Sequence, residues 1–191
     1  MLPRISRPLN STRRPNWLWI LLALAALSVS LPAKTSGAAV PSSDASILNP
    51  AEAAKVMPAT VFFRGQVASV QARNSSGVKL PDGRLVLCAL VDTSGYSTAV
   101  QQKYQAYFIT EVALDINGQA LRPGAYGVGF IEGTKFMVMD LGGHDIFTIG
   151  GNRDAALKRP TPLQVLADTT PGHYRLYINR NYIVFTPGPG H

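Results

Sequence analysis

From Thr60 onward, apolar residues recur at every second position in short runs, and clusters of Gly, Pro, Asn and Asp separate the runs. A period near two, with turn residues between runs, predicts strands joined by tight turns. Val61, Phe63 and Val67 share one alternating face of a run over 61–73. Val70 falls on the other face, which predicts a bulge or bend near Gly65 or Ala68. The run 84–91 is almost wholly apolar, as expected for a strand covered on both faces. Tyr104 to Val112 reads as a strand with aromatic residues on both faces, and Ala113 to Ile116 as its continuation or a short strand of its own. In the next strand Tyr126, Val128 and Phe130 share the core face, while Gly127 and Gly129 occupy the other. Two glycines on one face predict that another segment comes close there. Strands over 135–141, 145–149, 163–167, 173–178 and 182–185 complete the set.

The punctuation is explicit. Asn117-Gly118 is the strongest two-residue hairpin signal. Pro81-Asp82-Gly83, Gly133-Thr134, Gly142-Gly143 and Asn179-Arg180-Asn181 mark further turns. Arg122-Pro123-Gly124-Ala125-Tyr126 is echoed by Thr170-Pro171-Gly172-His173-Tyr174. In both, Pro-Gly suits the centre of a type II turn that launches a strand. Helical signals are few. Asn49 as cap, Pro50 in the first turn, Glu52 and the stop at Pro58 predict a two-turn helix over 50–57. Thr98 to Lys103 and Asp154 to Leu157 each suit a single helical turn. The expected fold is all-β: an antiparallel β-sandwich of about eight or nine strands with one short N-terminal helix, the alternative being a small up-and-down β-barrel.

The first 38 residues change the picture of charge. Arg4, Arg7, Arg13 and Arg14 precede an apolar run over 17–31, followed by Ser36-Gly37-Ala38. That is the order of a secretory signal peptide cleaved after Ala38, with Ala33 as the second site. An uncleaved anchor is the alternative. Residues 39–48 then form a polar spacer, 49–186 one domain, and 187–191 a Pro/Gly tail. Of 18 Lys and Arg, five lie before Ala39, leaving 13 against 11 acids, a net +2 in place of +7. The basic balance therefore belongs to the leader and gives no reason to expect a nucleic-acid partner. Membrane contact is expected only through an uncleaved leader. Trp17 and Trp19 also fall in the leader. The single cysteine, Cys88, lies in an apolar run and reads as a buried small hydrophobe; one cysteine excludes an intramolecular disulfide.

Asn117-Gly118, Leu121, Pro123-Gly124 and Tyr126 resemble the N-G-x-x-L-x-P/A-G-x-Y hairpin of an uncharacterised bacterial family of secreted β-sandwich domains of unknown function. Similar Pro-Gly-x-Tyr strand openings occur in carboxypeptidase-regulatory-like and transthyretin-like sandwiches. The match covers one hairpin, with a shorter echo at Tyr174. It implies a sandwich fold and a periplasmic or secreted location, and it transfers no catalytic residue.

Candidate chemistry is sparse. Gly95-Tyr96-Ser97-Thr98-Ala99 approximates a nucleophile elbow, and Ser97 is followed by Asp140 or Asp145 and by His144 or His173, in the order of a hydrolase triad. The second glycine of the motif is replaced by Ala99, and an elbow normally tops a parallel α/β sheet. Gly142-Gly143-His144-Asp145 presents a possible general base or metal ligand on a turn, yet no HxH or HExxH spacing supports a metal. His144 and His173 each follow a glycine that opens a strand, a placement that allows them to meet at one sheet end. Tyr104, Tyr107, Tyr126, Tyr174, Tyr177 and Tyr182 sit at strand spacing, suited to cross-strand packing before a ligand groove. The expectation is an exported, non-enzymatic binding or envelope-interaction module without cofactor or metal. The alternatives are a small serine hydrolase using Ser97 and a barrel carrying an apolar ligand.

Overall fold

The computed structural model describes residues 45–188. The leader, most of the spacer and residues 189–191 lie outside the described residues, and the expectations placed on them go with them. One open sheet contains β1 (Ser46–Leu48), β2 (Thr60–Phe63), β3 (Gln66–Lys79), β4 (Leu85–Val91), β5 (Ala106–Thr110), β8 (Gly124–Ile131), β9 (Lys135–Met139) and β10 (Asp145–Gly150). The other contains β6 (Leu114–Ile116), β7 (Gln119–Leu121), β11 (Asn152–Arg153), β12 (Leu163–Ala167), β13 (Tyr174–Ile178) and β14 (Asn181–Pro187). The larger sheet runs β1-β3-β4-β5-β8-β9-β10 with β2 hairpinned onto β3. The smaller runs β12-β13-β14-β6-β7, with β11 beside the start of β14. Every pairing is antiparallel. The sandwich expectation holds. The barrel alternative does not, because neither sheet closes on itself.

Val78, Val86, Phe108, Val128 and Phe136 of the larger sheet pack against Leu176, Ile183 and Phe185 of the smaller in one buried core. The larger sheet is buried on its second face as well. There the β2–β3 hairpin and the turn of helix α2 (Thr98–Gln101) lie over Leu87, Ala89 and Tyr107, and α1 (Pro50–Val56) packs on β3 and β1 with Met57 just past its end joining the same cluster. This third layer explains why β4 is apolar on both faces. Helix α1 forms as its sequence dictates: the Asn49 side chain accepts from the Glu52 amide at 3.0 Å, and the Glu52 carboxylate accepts from the Asn49 amide at 2.9 Å. At the β6–β7 turn Asn117 and Gly118 take φ of 48° and 87°, the left-handed pair of a type I′ hairpin. Gly127 and Gly129 do admit close neighbours. A Cβ on Gly127 would overlap the ring of Phe63, and one on Gly129 would overlap the carbonyl oxygen of Lys103.

Several expectations are corrected. Among the described residues there are fourteen strands, several of them only two or three residues long, in place of the eight or nine. The run 61–73 carries no bulge near Gly65. It reverses there, with Phe63 opposite Gln66 across Arg64 (φ 50°) and Gly65 (φ 79°). The reversal puts Ala68 and Val70 on the buried face with Val61 and Phe63 and turns Val67, opposite Phe62, out to solvent, so the alternation expected across the turn places Val67 and Val70 on the wrong faces. Strand β3 then continues through the polar stretch Asn74–Lys79, where Ser75 and Ser76 are buried. Their hydroxyls are satisfied: Ser75 donates to the Ala72 carbonyl at 2.7 Å, and Ser76 donates to the Leu48 carbonyl at 3.0 Å while accepting from the Val165 amide at 3.2 Å. Ser46–Leu48, within the expected spacer, pairs with the end of β3. At the other end β14 reaches Pro187, and the Gly188 amide donates to Ala113 at 2.8 Å, where a loose tail was expected. Residues 154–157 form no helical turn, because the carbonyls of Asp154, Ala155 and Leu157 accept from the Arg180 guanidinium instead.

The two Pro-Gly sites differ. Gly172 has φ 76°, and the His173 amide donates to the Thr170 carbonyl at 3.1 Å, as in a type II turn. Gly124 at φ 159° is already extended and begins β8. There the ring of Tyr126 folds back over Gly124, and its hydroxyl donates to the Arg122 carbonyl at 2.8 Å. This is a tyrosine corner, which fixes the angle at which the chain enters the strand.

Candidate functional site

An open groove of 590 Å³ lies at one end of the sandwich. Residues distant in sequence form it: Ala45 and Ile47 at the chain's entry into β1, Leu80-Pro81 after β3, the β12–β13 turn, and Pro187 at the end of β14. Leu80 and Tyr174 are buried and make an apolar floor. The polar groups come from the β12–β13 turn. Asp168 is ion-paired with Arg175, so the pair carries no net charge into the groove. The Thr169 amide is the main cause holding the Asp168 carboxyl below its ordinary range, with the Arg175 side chain adding to it against partial burial. His173 places Nδ1 3.1 Å from the Pro171 carbonyl. Because a carbonyl only accepts, Nδ1 carries a hydrogen, and Nε2 is left without a hydrogen bond among the described residues. The site can take an apolar moiety on its floor and exchange hydrogen bonds at its rim with His173 and Thr170. Its volume falls in the range of small-ligand pockets.

The remaining candidate residues lie around a second, smaller cleft of 100 Å³ between the β2–β3 turn, α2 and the β9–β10 turn. Ala99, two residues past Ser97, and Gly143, one before His144, line it together. Ser97 precedes α2 at its cap position, is exposed, and makes no side-chain hydrogen bond. His144 Nδ1 lies 3.0 Å from Asp140 Oδ2, and its amide donates to Asp140 Oδ1 at 2.9 Å. That amide, and then the ring, holds the Asp140 carboxyl below its usual value. Asp145 pairs with Lys103 at 3.0 Å and orients no imidazole. His173 belongs to the groove and has no contact with His144, so the two histidines do not meet. The structure thus joins Asp140 to His144 and leaves Ser97 without a base within hydrogen-bond reach, the step on which nucleophilic activation depends.

Among the described residues no group of three or more His, Cys, Asp and Glu could hold a metal ion. Cys88 is buried, and burial pushes its thiol up, which keeps it protonated at neutral pH and fits a packing role. No helix among the described residues is long and apolar enough to cross a membrane. Fold and site together define an all-β sandwich with an apolar-floored groove at one sheet end. Comparison with protein-family models, with curated proteins and with solved structures finds no match.

The groove was not among the sites expected from sequence. The turn Thr170-Pro171-Gly172 was visible as punctuation, but its partners Leu80-Pro81 lie about ninety residues away, and alternation carries no signal for that juxtaposition.

Proposed function

We propose that this protein is an exported, non-enzymatic binding module whose ligand is an envelope or extracellular component held in the groove between Leu80-Pro81 and the β12–β13 turn. The observation that carries this reading is the 590 Å³ groove itself, with an apolar floor and a neutralised Asp168–Arg175 pair at its wall. The basic-apolar-small order of residues 1–38 and the resemblance of the Asn117–Tyr126 hairpin to secreted sandwich domains support export. The test is retention of envelope components by immobilised protein, compared with Thr170→Trp, which fills the groove from an exposed position. Retention by the parent and loss in the variant is expected. A parent that retains nothing but turns over model esters, with fluorophosphonate labelling abolished by Ser97→Ala, would replace this reading with a hydrolase.

A further inference from the structure

At the far end of β13 from the groove, a separate cavity of 450 Å³ lies between β11, the segment 160–162 and the β13–β14 turn. Its walls carry two guanidinium groups, Arg153 and Arg180, and no carboxylate. Lys158 and Arg159 lead in sequence directly into Pro160, which forms one wall, so this connection and turn carry four cations, two of them lining the cavity. None of the four has an ion-pair partner among the described residues. The one acid nearby, Asp154, is already engaged. Its Oδ2 accepts from the Tyr177 hydroxyl at 3.1 Å, and its Oδ1 accepts from the Ala156 amide at 3.0 Å. The cluster stands out against a net charge of only +2 for residues 39–191.

The two arginines differ in a useful way. Arg180 Nη1 donates to the Ala155 and Leu157 carbonyls at 2.9 and 3.0 Å, so this guanidinium is immobilised before any ligand arrives. Arg153, exposed on β11, makes no side-chain hydrogen bond and is available to a ligand. Guanidinium groups bind phosphate oxygens bidentately, and two of them match a group carrying close to two negative charges better than a carboxylate carrying one. The cavity is much larger than a bare oxyanion, and Pro160 and Pro162 provide apolar walls for the organic part. We infer that this cavity is a binding site for a phosphomonoester ligand, with Arg153 and Arg180 gripping the phosphoryl group and Lys158 and Arg159 attracting it. The inference is independent of the groove.

Calorimetric titration of the full chain tests it, with glycerol 3-phosphate, inorganic phosphate, glycerophosphoglycerol and acetate as probes. Glycerol 3-phosphate is expected to bind most tightly and to weaken as salt rises. Arg153→Glu is expected to reduce its affinity by roughly tenfold or more with an unchanged melting temperature, since the Arg153 side chain makes no hydrogen bond among the described residues. The double variant Lys158→Ala/Arg159→Ala is expected to lose less, about twofold to fivefold, because screened rim charges are worth little. Absence of binding to any phosphoryl probe would overturn the site, as would undiminished affinity in folded Arg153→Glu. Acetate binding as tightly as glycerol 3-phosphate would overturn the phosphoryl assignment. Binding of the diester glycerophosphoglycerol alone would transfer the site to a lipid headgroup and overturn the monoester.

Discussion

Replacing Gly127 by alanine is expected to destabilise the domain through one ring. Gly127 sits in β8 opposite Tyr107 and Met139, at an ordinary strand conformation. An alanine Cβ there would overlap Phe63 Cε2 and come within 2.9 Å of Cζ and 3.1 Å of Cδ2. Phe63 is fully buried and has little freedom to yield. Its ring stacks on Tyr104 with centroids 3.9 Å apart at 23°, and its own carbonyl accepts from the Tyr96 hydroxyl at 3.0 Å. Overpacking of this kind costs about 1–3 kcal/mol. The reduced entropy of the unfolded chain returns about 0.4–1 kcal/mol on replacing glycine by alanine. At the midpoints of these ranges, about 2 and about 0.7 kcal/mol, the net loss is about 1.3 kcal/mol, which lowers the melting temperature by about 3–6 °C for a domain of this size. Thermal and urea unfolding of Gly127→Ala, Phe63→Leu and the double variant form a double-mutant cycle. In the Phe63→Leu background the alanine is expected to cost less than about 0.5 kcal/mol, a coupling of at least ~0.8 kcal/mol. A neutral or stabilising Gly127→Ala in the parent, or strict additivity in the double variant, would refute the steric account. Gly129→Ala has no such rescue, because its obstacle is the Lys103 backbone carbonyl.

The Tyr104 hydroxyl is buried without a hydrogen-bond partner, so Tyr104→Phe is expected to raise stability by about 1 kcal/mol, read as a higher melting temperature; a decrease would show that the hydroxyl is bonded. Ser76→Ala leaves the Leu48 carbonyl and the Val165 amide without their shared partner and is expected to cost about 1–3 kcal/mol in urea unfolding. Phe130→Asp places a charge in the core against Phe136, 5.1 Å away between ring centroids, and is expected to give a chain without dispersed amide resonances, whereas His144→Asp remains folded. Asp140, titrated by carboxyl NMR, is expected to keep most of its depressed value in His144→Ala, since the His144 backbone amide is the first cause. A depressed carboxyl stabilises above its unfolded value near pH 4 and loses that contribution as pH falls through the folded one; a value returning to normal in His144→Ala would contradict the order of causes.

Local chemistry made the turns legible. Asn117-Gly118 could be placed because only residues tolerant of left-handed φ suit a type I′ turn, and Asn117 goes further than its turn role. Its side chain accepts from the Val184 amide at 3.1 Å and donates to the Gly150 carbonyl at 2.8 Å, tying three strands together. Arg64-Gly65 adopts the same geometry but was hidden, since arginine is not a usual first residue of that turn. Asn74–Lys79 was hidden for a different reason: hydroxyls that find backbone partners can be buried, and alternation counts them as polar. The groove and the Arg153–Arg180 cavity are long-range products of sheet order. By contrast, Ser97, Asp145 and the histidines stand out as local motifs, and of these candidates the fold pairs His144 with Asp140 and Asp145 with Lys103.

The position of β14 has a consequence for how the chain matures. This latest of the described strands lies between β13 on one side and β6 and β11 on the other, with Phe185 facing Tyr174 and Ile116 in register. Its Ile183 and Phe185 also fill the core between the sheets. Until residues 181–187 have been synthesised, the β6–β7 hairpin has no link to β12 and β13, and the part of the core filled by Ile183 and Phe185 is left uncovered. Completion therefore arrives late and all at once in vectorial synthesis, and it closes a contact spanning some seventy residues, the kind of pairing that slows folding. A chain cut back to Arg180 loses the middle of a sheet rather than its fringe. A quality-control protease should see that truncation as an unfolded protein.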